Sequence, residues 1–383
     1  MRTIMTVYGT RPEAIKMAPI VKALQRSEAL RPLVVVTGQH REMLDQVNTA
    51  FGIEPAADLD IFAHGQGLET TTAKTLERLT PLLKETRPDA LVVQGDTSSA
   101  FVAGLAAFYQ QIPVFHVEAG LRTETIWSPF PEEGNRRLLT RVTSLHLAPT
   151  TVSRDNLLRE AVGPETVVVT GNTVIDALLE TVNSPRPYAN DVLAGLDLGG
   201  RKIVLITSHR RESWGEPMAR TAKALSELAA SEPDVLFVLP LHANPVVRDI
   251  FIPVLEGFGN VLLTESLSYT DFAQLTAAST LVVTDSGGVQ EEAPSLGKPV
   301  LVLRENTERP EAVDAGTVKL IGTDTERIVS EVKRLLHEPA YFDSMANAVN
   351  PYGDGKASAR SIAAMEAFFG LGDRLEDFSG AEA

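Results

Sequence analysis

Short apolar runs alternate with helix-spaced apolar stripes from the first residues onward. Arg2–Tyr8, Leu33–Val36, Ala90–Gln94, Pro113–Val117, Leu145–Ala148 and Thr166–Thr170 carry few polar positions. Runs with no polar face predict strands of a parallel sheet covered on both sides. Between them Ala14, Met17, Ala18, Val21 and Leu24 recur at helical spacing, as do Leu76, Leu79 and Leu83. Lys16 lies off the first stripe, near its start.

From Gly171 to Gly200 the pattern lapses, and Pro185, Pro187, Gly199 and Gly200 predict an interdomain loop. The rhythm then restarts. Strands are predicted at Lys202–Thr207, Val235–Leu239, Asn260–Thr264, Leu281–Thr284, Pro299–Leu303 and Val318–Ile321. Met218, Leu225 and Leu228 mark one helix, and Ile328, Val329, Val332, Leu335 and Leu336 another. A last stripe, Ile362, Met365, Phe368 and Phe369, is expected to cross back onto the first domain, and the acidic tail after Asp373 to fray. The expected class is α/β, with two Rossmann-like doubly wound parallel-sheet domains. Residues 1–172, joined by a C-terminal helix 358–383, form one; residues 173–357 form the other. Two such domains facing each other would enclose a cleft lined by C-terminal strand ends.

A net charge of −15 argues against nucleic-acid or membrane-surface binding, which want a basic face. An anionic ligand must then be met by a few local cations and backbone amides. The absence of cysteine excludes disulfides and thiolate chemistry and agrees with a reducing compartment. No signal-peptide pattern and no bilayer-length run is present, so the expected location is cytoplasmic.

Candidate chemistry sits where strands end. After Leu281–Thr284 comes Asp285-Ser286-Gly287-Gly288, read as a turn, with helical pattern from Val289. Such a strand, turn and helix start offers unpaired amides and a hydroxyl to a phosphate. It is equally an ordinary N-capped turn. Glu291 and Glu292 follow, read as first-turn carboxylates, one of them suited to a ribose diol. Asp96 and Glu118 directly follow apolar strands, and Glu132 lies in a loop with Pro129 and Pro131. Carboxyls crowded together push their pKa values apart, which suits acid–base work; singly, each would cap a helix or pair with arginine. Arg11, Lys16, His209, Arg210, Arg211 and Arg309 supply cations at comparable positions, or else salt bridges and a solvated charge run. Gly9-Thr10-Arg11-Pro12-Glu13 is not a dinucleotide fingerprint, no P-loop occurs, and the histidines lack metal spacing. Ser286 has no recognisable base and is a poor hydrolase nucleophile.

In order, Gly9-Thr10-Arg11-Pro12-Glu13, Gln94-Gly95-Asp96-Thr97, His116-Val117-Glu118-Ala119-Gly120-Leu121-Arg122 and Pro131-Glu132-Glu133-Gly134-Asn135-Arg136 form a set. It continues with Thr207-Ser208-His209-Arg210-Arg211-Glu212, Thr284-Asp285-Ser286-Gly287-Gly288-Val289-Gln290-Glu291-Glu292-Ala293-Pro294 and Thr307-Glu308-Arg309-Pro310-Glu311-Ala312. This collinear set, from Met1 to Phe369, resembles the non-hydrolysing bacterial UDP-N-acetylglucosamine 2-epimerases. The resemblance implies a glycosyltransferase-B fold and interconversion of UDP-GlcNAc and UDP-ManNAc, without cofactor or metal. It also implies a homodimer that supplies cell-envelope polysaccharide precursors. By position, Asp96, Glu118 and Glu132 would be catalytic carboxylates, with His209 assisting at the leaving UDP. Arg11 and Lys16 would lie near the diphosphate, Phe272 at uracil, Ser286 and Gly287 at the phosphates, Glu292 at the ribose and Arg309 in the nucleotide pocket. Gln39, Gln66, Arg210 and His242 match a second, activating UDP-GlcNAc site. There Glu42 and Gly65 depart from the usual glutamine and arginine, which should weaken anion binding. Rival readings are a hydrolysing 2-epimerase, a glycosyltransferase of the same fold, and a non-catalytic nucleotide-sugar sensor.

Overall fold

Thirteen parallel strands among the described residues form two sheets. The computed structural model describes residues 1–38, 41–61, 66–196, 200–307 and 309–380, the side chains of 41–43 excepted. Gln39, His40, His64, Gly65, Gly199 and Glu308, and the side chain of Glu42, therefore lie outside the description.

The first sheet contains β1 (Arg2–Tyr8), β2 (Leu30–Val36), β3 (Ala57–Asp58), β4 (Ala90–Gln94), β5 (Val114–Val117), β6 (Leu145–Ala148) and β7 (Val167–Val169). Their order is β3-β2-β1-β4-β5-β6-β7. The direction of winding reverses between β1 and β4, where Ile4, Met5 and Thr6 register with Ala90, Leu91 and Val92. The second sheet contains β8 (Ile203–Thr207), β9 (Leu236–Pro240), β10 (Val261–Thr264), β11 (Leu281–Thr284), β12 (Val300–Val302) and β13 (Val318–Leu320), ordered β10-β9-β8-β11-β12-β13. Its switch point is β8 against β11, with Thr284 level with Thr207. In open parallel sheets ligands bind at the carboxyl ends of strands beside such a switch.

The apolar runs explain the burial. Every residue of β4, β8 and β11 is buried. The helix Arg11–Arg26 starts with a capping box: Glu13 N–H donates to Thr10, and Glu13 accepts the Thr10 N–H. Its predicted stripe Ala14, Met17, Ala18, Val21 and Leu24 is fully buried. Met218, Leu225 and Leu228 join the second unit's core with Ile328, Val332, Leu335 and Leu336.

Contacts divide the chain into Met1–Ala177 with Tyr352–Gly380, and Leu178–Pro351. In the first unit the helix Ala357–Phe368 packs on Arg11–Arg26, and Phe368 meets Phe115 edge-on at 4.9 Å between centroids.

Two expectations are corrected. The segment read as a loop from Gly171 holds the helix Thr173–Asn183 and the short helix Asp191–Ala194. Val174, Ile175, Ala177 and Leu178 are buried there. Asp176, which broke the apolar pattern, accepts the N–H groups of Ala357 (3.1 Å) and Ser358 (2.8 Å) and so caps the last helix. The tail after Asp373 does not fray before residue 380: Phe378 is buried, and its N–H donates to Val169 O at 2.8 Å. One aromatic anchor outweighs the acidic character of its neighbours.

Candidate active site

In the first unit the polar residues that end β4, β5 and β7 converge on Glu118. Its side chain is only 9% exposed, and its backbone has φ +64°, the left-handed region that non-glycine residues avoid. Lys16 Nζ lies 2.5 Å from Glu118 Oε1. Gln94, the last residue of β4, donates to Oε2, and Asn172, just past β7, donates to Oε1 at 3.3 Å. Lys16 can reach Glu118 because it points off the buried stripe of its helix.

Asp96 follows β4 in the turn opened by Gly95, whose φ is +72°. Arg136 Nη2 lies 2.5 Å from Asp96 Oδ2 and its Nη1 lies 3.1 Å from Glu133. Burial works against the Arg136 charge, but Asp96 and Glu133 more than offset it and hold its pKa above the ordinary value. Asn135 Nδ2 donates to Asp96 O at 2.9 Å. Glu132 is the first residue of the helix Glu132–Val142 rather than part of the preceding loop. It is half-buried, and its carboxylate has no hydrogen-bond or ion-pair partner among the described residues. Arg136 is four residues on, hence on the same helix face. A Cβ at Gly95 would stand 3.6 Å from Glu118 Oε2, so the Glu118 carboxylate abuts the Asp96 turn. The structure thus gathers Asp96, Glu118 and Lys16 at one sheet edge, with the start of the Glu132 helix tied in through Asn135 and Arg136. Arg11 begins the helix after β1 and is half-buried.

In the second unit Asp285 occupies the switch point. It is wholly buried; Oδ2 accepts the N–H groups of His209 (2.7 Å) and Arg210 (2.9 Å). Its Oδ1 lies 3.3 Å from His209 Nδ1, close enough for ion pairing but not aligned as a hydrogen bond, and no other donor among the described residues reaches it. His209 stacks on His242, with centroids 5.7 Å apart and planes 12° apart. Asp285 read in the sequence as no more than a turn residue. Its signal, an acid directly after a buried strand, is the one that marked Asp96 and Glu118.

The helix after β11 is Gly287–Glu292, two residues earlier than predicted and only six long. Glu291 and Glu292 therefore close it rather than occupy its first turn. Ser286 holds the N-cap position, but its hydroxyl makes no capping bond. The guanidinium of Arg309 lies over Gly287: a Cβ there would be 2.5 Å from Nη1. Arg309 Nε donates to Glu291 Oε1 at 2.6 Å. So a side chain at 287 would displace the guanidinium, and Arg309 brings its charge to the Ser286 turn. Glu292 and Phe272 are half-buried, the latter in the first turn of Tyr269–Ala278.

Of the residues matched to an activating site, Gln66 has its amide engaged by Ile61 O, Thr71 and Lys74. Arg210 Nη1 donates to Glu212 at 3.2 Å, and exposed His242 accepts the Asn244 N–H on Nδ1 at 3.1 Å. No described helix is long and apolar enough to cross a membrane.

Two parallel α/β units with polar strand ends at their switch points define the glycosyltransferase-B class of fold. The glycosyltransferase SnogD from Streptomyces nogalater, 15% identical, shares that fold at a TM-score of 0.62, over 97% of this chain and 99% of that one. The family is narrower. The family model described as UDP-N-acetylglucosamine 2-epimerase matches residues 22–366. The UDP-N-acetylglucosamine 2-epimerase of Salmonella typhimurium is 50% identical over 373 residues, covering 95% of this chain and 98% of that one. The crystal structure of the Neisseria meningitidis UDP-GlcNAc 2-epimerase bound to UDP-GlcNAc is 46% identical, with a TM-score of 0.85 over 95% of this chain and 100% of that one. The chain belongs to the UDP-N-acetylglucosamine 2-epimerase family of isomerases.

Proposed function

We propose that this protein interconverts UDP-GlcNAc and UDP-ManNAc by eliminating and re-adding UDP. The C2 proton of the sugar is not beside a carbonyl, so it is not acidic in the ground state. When the C1–O bond breaks, UDP departs with the electron pair and positive charge develops at C1. A carboxylate then takes the C2 proton, and the C–H electrons form the C1–C2 double bond of a glycal. A proton returned to the opposite face of C2, with the UDP oxygen re-bonding to C1, completes inversion without net change in atoms or electrons. Asp96, Glu118 and Glu132 are the proton carriers. Arg11, Lys16, His209 and Arg309 stabilise the developing negative charge on UDP. Phe272, Ser286, Gly287 and Glu292 hold the uridine diphosphate.

The observation that carries this reading is the unequal setting of the three carboxylates. Glu118 is neutralised by Lys16, Asp96 by Arg136, and Glu132 is left without a partner among the described residues. A nucleotide-sugar sensor has no use for three acids so placed, whereas proton removal and delivery each need a positioned carboxyl group. The reading includes a cytoplasmic homodimer that feeds cell-envelope polysaccharide synthesis. It also includes activation by UDP-GlcNAc at Gln39, Gln66, Arg210 and His242; a hyperbolic rate curve for UDP-ManNAc alone counts against that part. The deciding experiment incubates the protein with UDP-GlcNAc in D₂O. UDP-ManNAc with deuterium at C2 and no accumulating UDP supports the proposal. Stoichiometric UDP with free ManNAc replaces it with the hydrolysing enzyme, and no turnover with a sensor.

A further inference from the structure

We propose that Glu13 is a positioning residue that ties the turn bearing Arg11 to the turn bearing Asp96. The inference rests on the reading of Asp96 as a reacting carboxylate. Glu13 is 2% exposed. Its Oε2 accepts the N–H groups of Gly9 (3.1 Å) and Thr10 (2.8 Å), and its Oε1 accepts the Thr97 hydroxyl at 2.7 Å. A capping box needs only the bond from the N-cap N–H. The bond to Thr97 goes elsewhere, across the switch point from the end of β1 to the end of β4. Thr97 adjoins Asp96 and itself accepts the Ala100 N–H at 3.0 Å, capping the helix Ser98–Tyr109. On its other side the Asp96 turn is held by Asn135 and Arg136. Glu13 is therefore a β1-side anchor of a turn that is also fastened toward the Glu132 helix and β5. All three groups on its carboxylate are donors, so the anion satisfies them and an apolar side chain would strand them. Burial raises its pKa, against the hydrogen bonds of Thr97, Thr10 and Gly9.

Glu13→Asp keeps the charge but falls one methylene short of Thr97. The kcat for epimerisation and the rate of C2 deuterium uptake are expected to fall together by about tenfold to a hundredfold, with KM within about twofold. Glu13→Gln retains the reach: its amide oxygen can keep the Gly9 and Thr10 bonds and its NH₂ can donate to the Thr97 hydroxyl oxygen, so both should stay within about threefold of wild type. Thr97→Val should reproduce the loss and Thr97→Ser, which keeps the hydroxyl, should not; this pair tests the same bond if Glu13→Asp does not fold. Unchanged kcat per folded molecule, with only a lower Tm, overturns the inference and leaves Glu13 a helix cap. Asp96→Asn, assayed alongside, separates the two claims. Wild-type exchange in that variant removes the reading of Asp96, whereas lost exchange there with full turnover in Glu13→Asp removes only the inference.

Discussion

Lys16 Nζ lies 2.5 Å from Glu118 Oε1, and Glu118 holds its backbone at φ +64° to meet it. A non-glycine residue in that region is strained by about 1–2 kcal/mol, and such strain persists only where surrounding contacts over-determine it. Here Lys16, Gln94 and Asn172 all grip the carboxylate. Lys16→Met keeps the length and removes the charge, leaving the buried Glu118 carboxylate without its counter-charge. Turnover should fall by about a hundredfold or more, while UDP still binds through the second unit. Steady-state rates and UDP titration check this. A variant as fast as wild type would show that Glu118 needs no counter-charge.

His209 depends on Asp285 in a comparable way. Asp285 Oδ2 is occupied by two backbone N–H groups, so only Oδ1 faces Nδ1. In the proposed reaction the ring would turn slightly to direct an Nδ1–H there, leaving Nε2 for the departing phosphate. In Asp285→Asn the amide oxygen must take the Oδ2 position to keep the backbone bonds, and its NH₂ then faces Nδ1. On this proposal the imidazole tautomer would reverse, as for a triad histidine whose carboxylate becomes an amide. We expect kcat to drop by about a hundredfold or more with the fold intact. Imidazole ¹⁵N shifts report the tautomer directly; an unchanged tautomer with unchanged kcat would sink the pairing.

Strand positions are legible because a parallel strand buried on both faces leaves an uninterrupted apolar run, as in β4, predicted and found at Ala90–Gln94. Two-residue β3 and the helix Thr173–Asn183 are not. The first is too short to have a period, and the second is apolar on most sides, with Asp176 spent on a cap 181 residues away. Strand-end acids are legible by the same logic as the strands. Their partners are not: Arg136 and Glu13 act across turns that only the tertiary fold brings together. Phe378 shows the converse failure, since composition spoke for a loose tail and one side chain decided otherwise.

Gly287 separates a steric from a catalytic role for Arg309. A methyl at 287 would stand 2.5 Å from Nη1, at the far end of a flexible side chain, so the guanidinium moves and the backbone does not. Gly287 is already in a helix, where alanine is preferred by about 1 kcal/mol. Gly287→Ala is therefore expected to leave Tm nearly unchanged while weakening UDP binding by about tenfold or more, because Arg309 loses its place beside Ser286. Isothermal titration with UDP measures this. Equal affinity for UDP would remove Arg309 from the nucleotide's surroundings.

His116 makes acid stability a probe of the Asp96 turn. Its ring is wholly buried, with Nε2 2.7 Å from Gly95 O and no partner for Nδ1 among the described residues. Nε2–H donates to that carbonyl, one residue before Asp96. Burial is the main cause that lowers its pKa from 6.5 to about 3. Between these values the unfolded chain binds a proton that the folded chain refuses. The stability that neutral His116 confers is thus whole above about pH 6.5 and drains away as pH falls toward about 3, by at most about 1.4 kcal/mol per unit. Buried Glu13 and Asp176, whose pKa values burial raises, act in the opposite sense: their stabilising share is present at low pH and is lost as pH climbs above the ordinary carboxylate range. Wild type alone would therefore mix the two trends. His116→Gln isolates one, because a glutamine amide can still donate to Gly95 O and does not titrate. Its ΔG of unfolding, compared with wild type by urea titration, should gain relative ground steadily from about pH 6.5 down to pH 4.5, by roughly 2–3 kcal/mol in all, and none above about pH 7. Parallel curves across that range would mean that His116 takes up a proton in the folded protein, and that the Gly95 turn opens to let it.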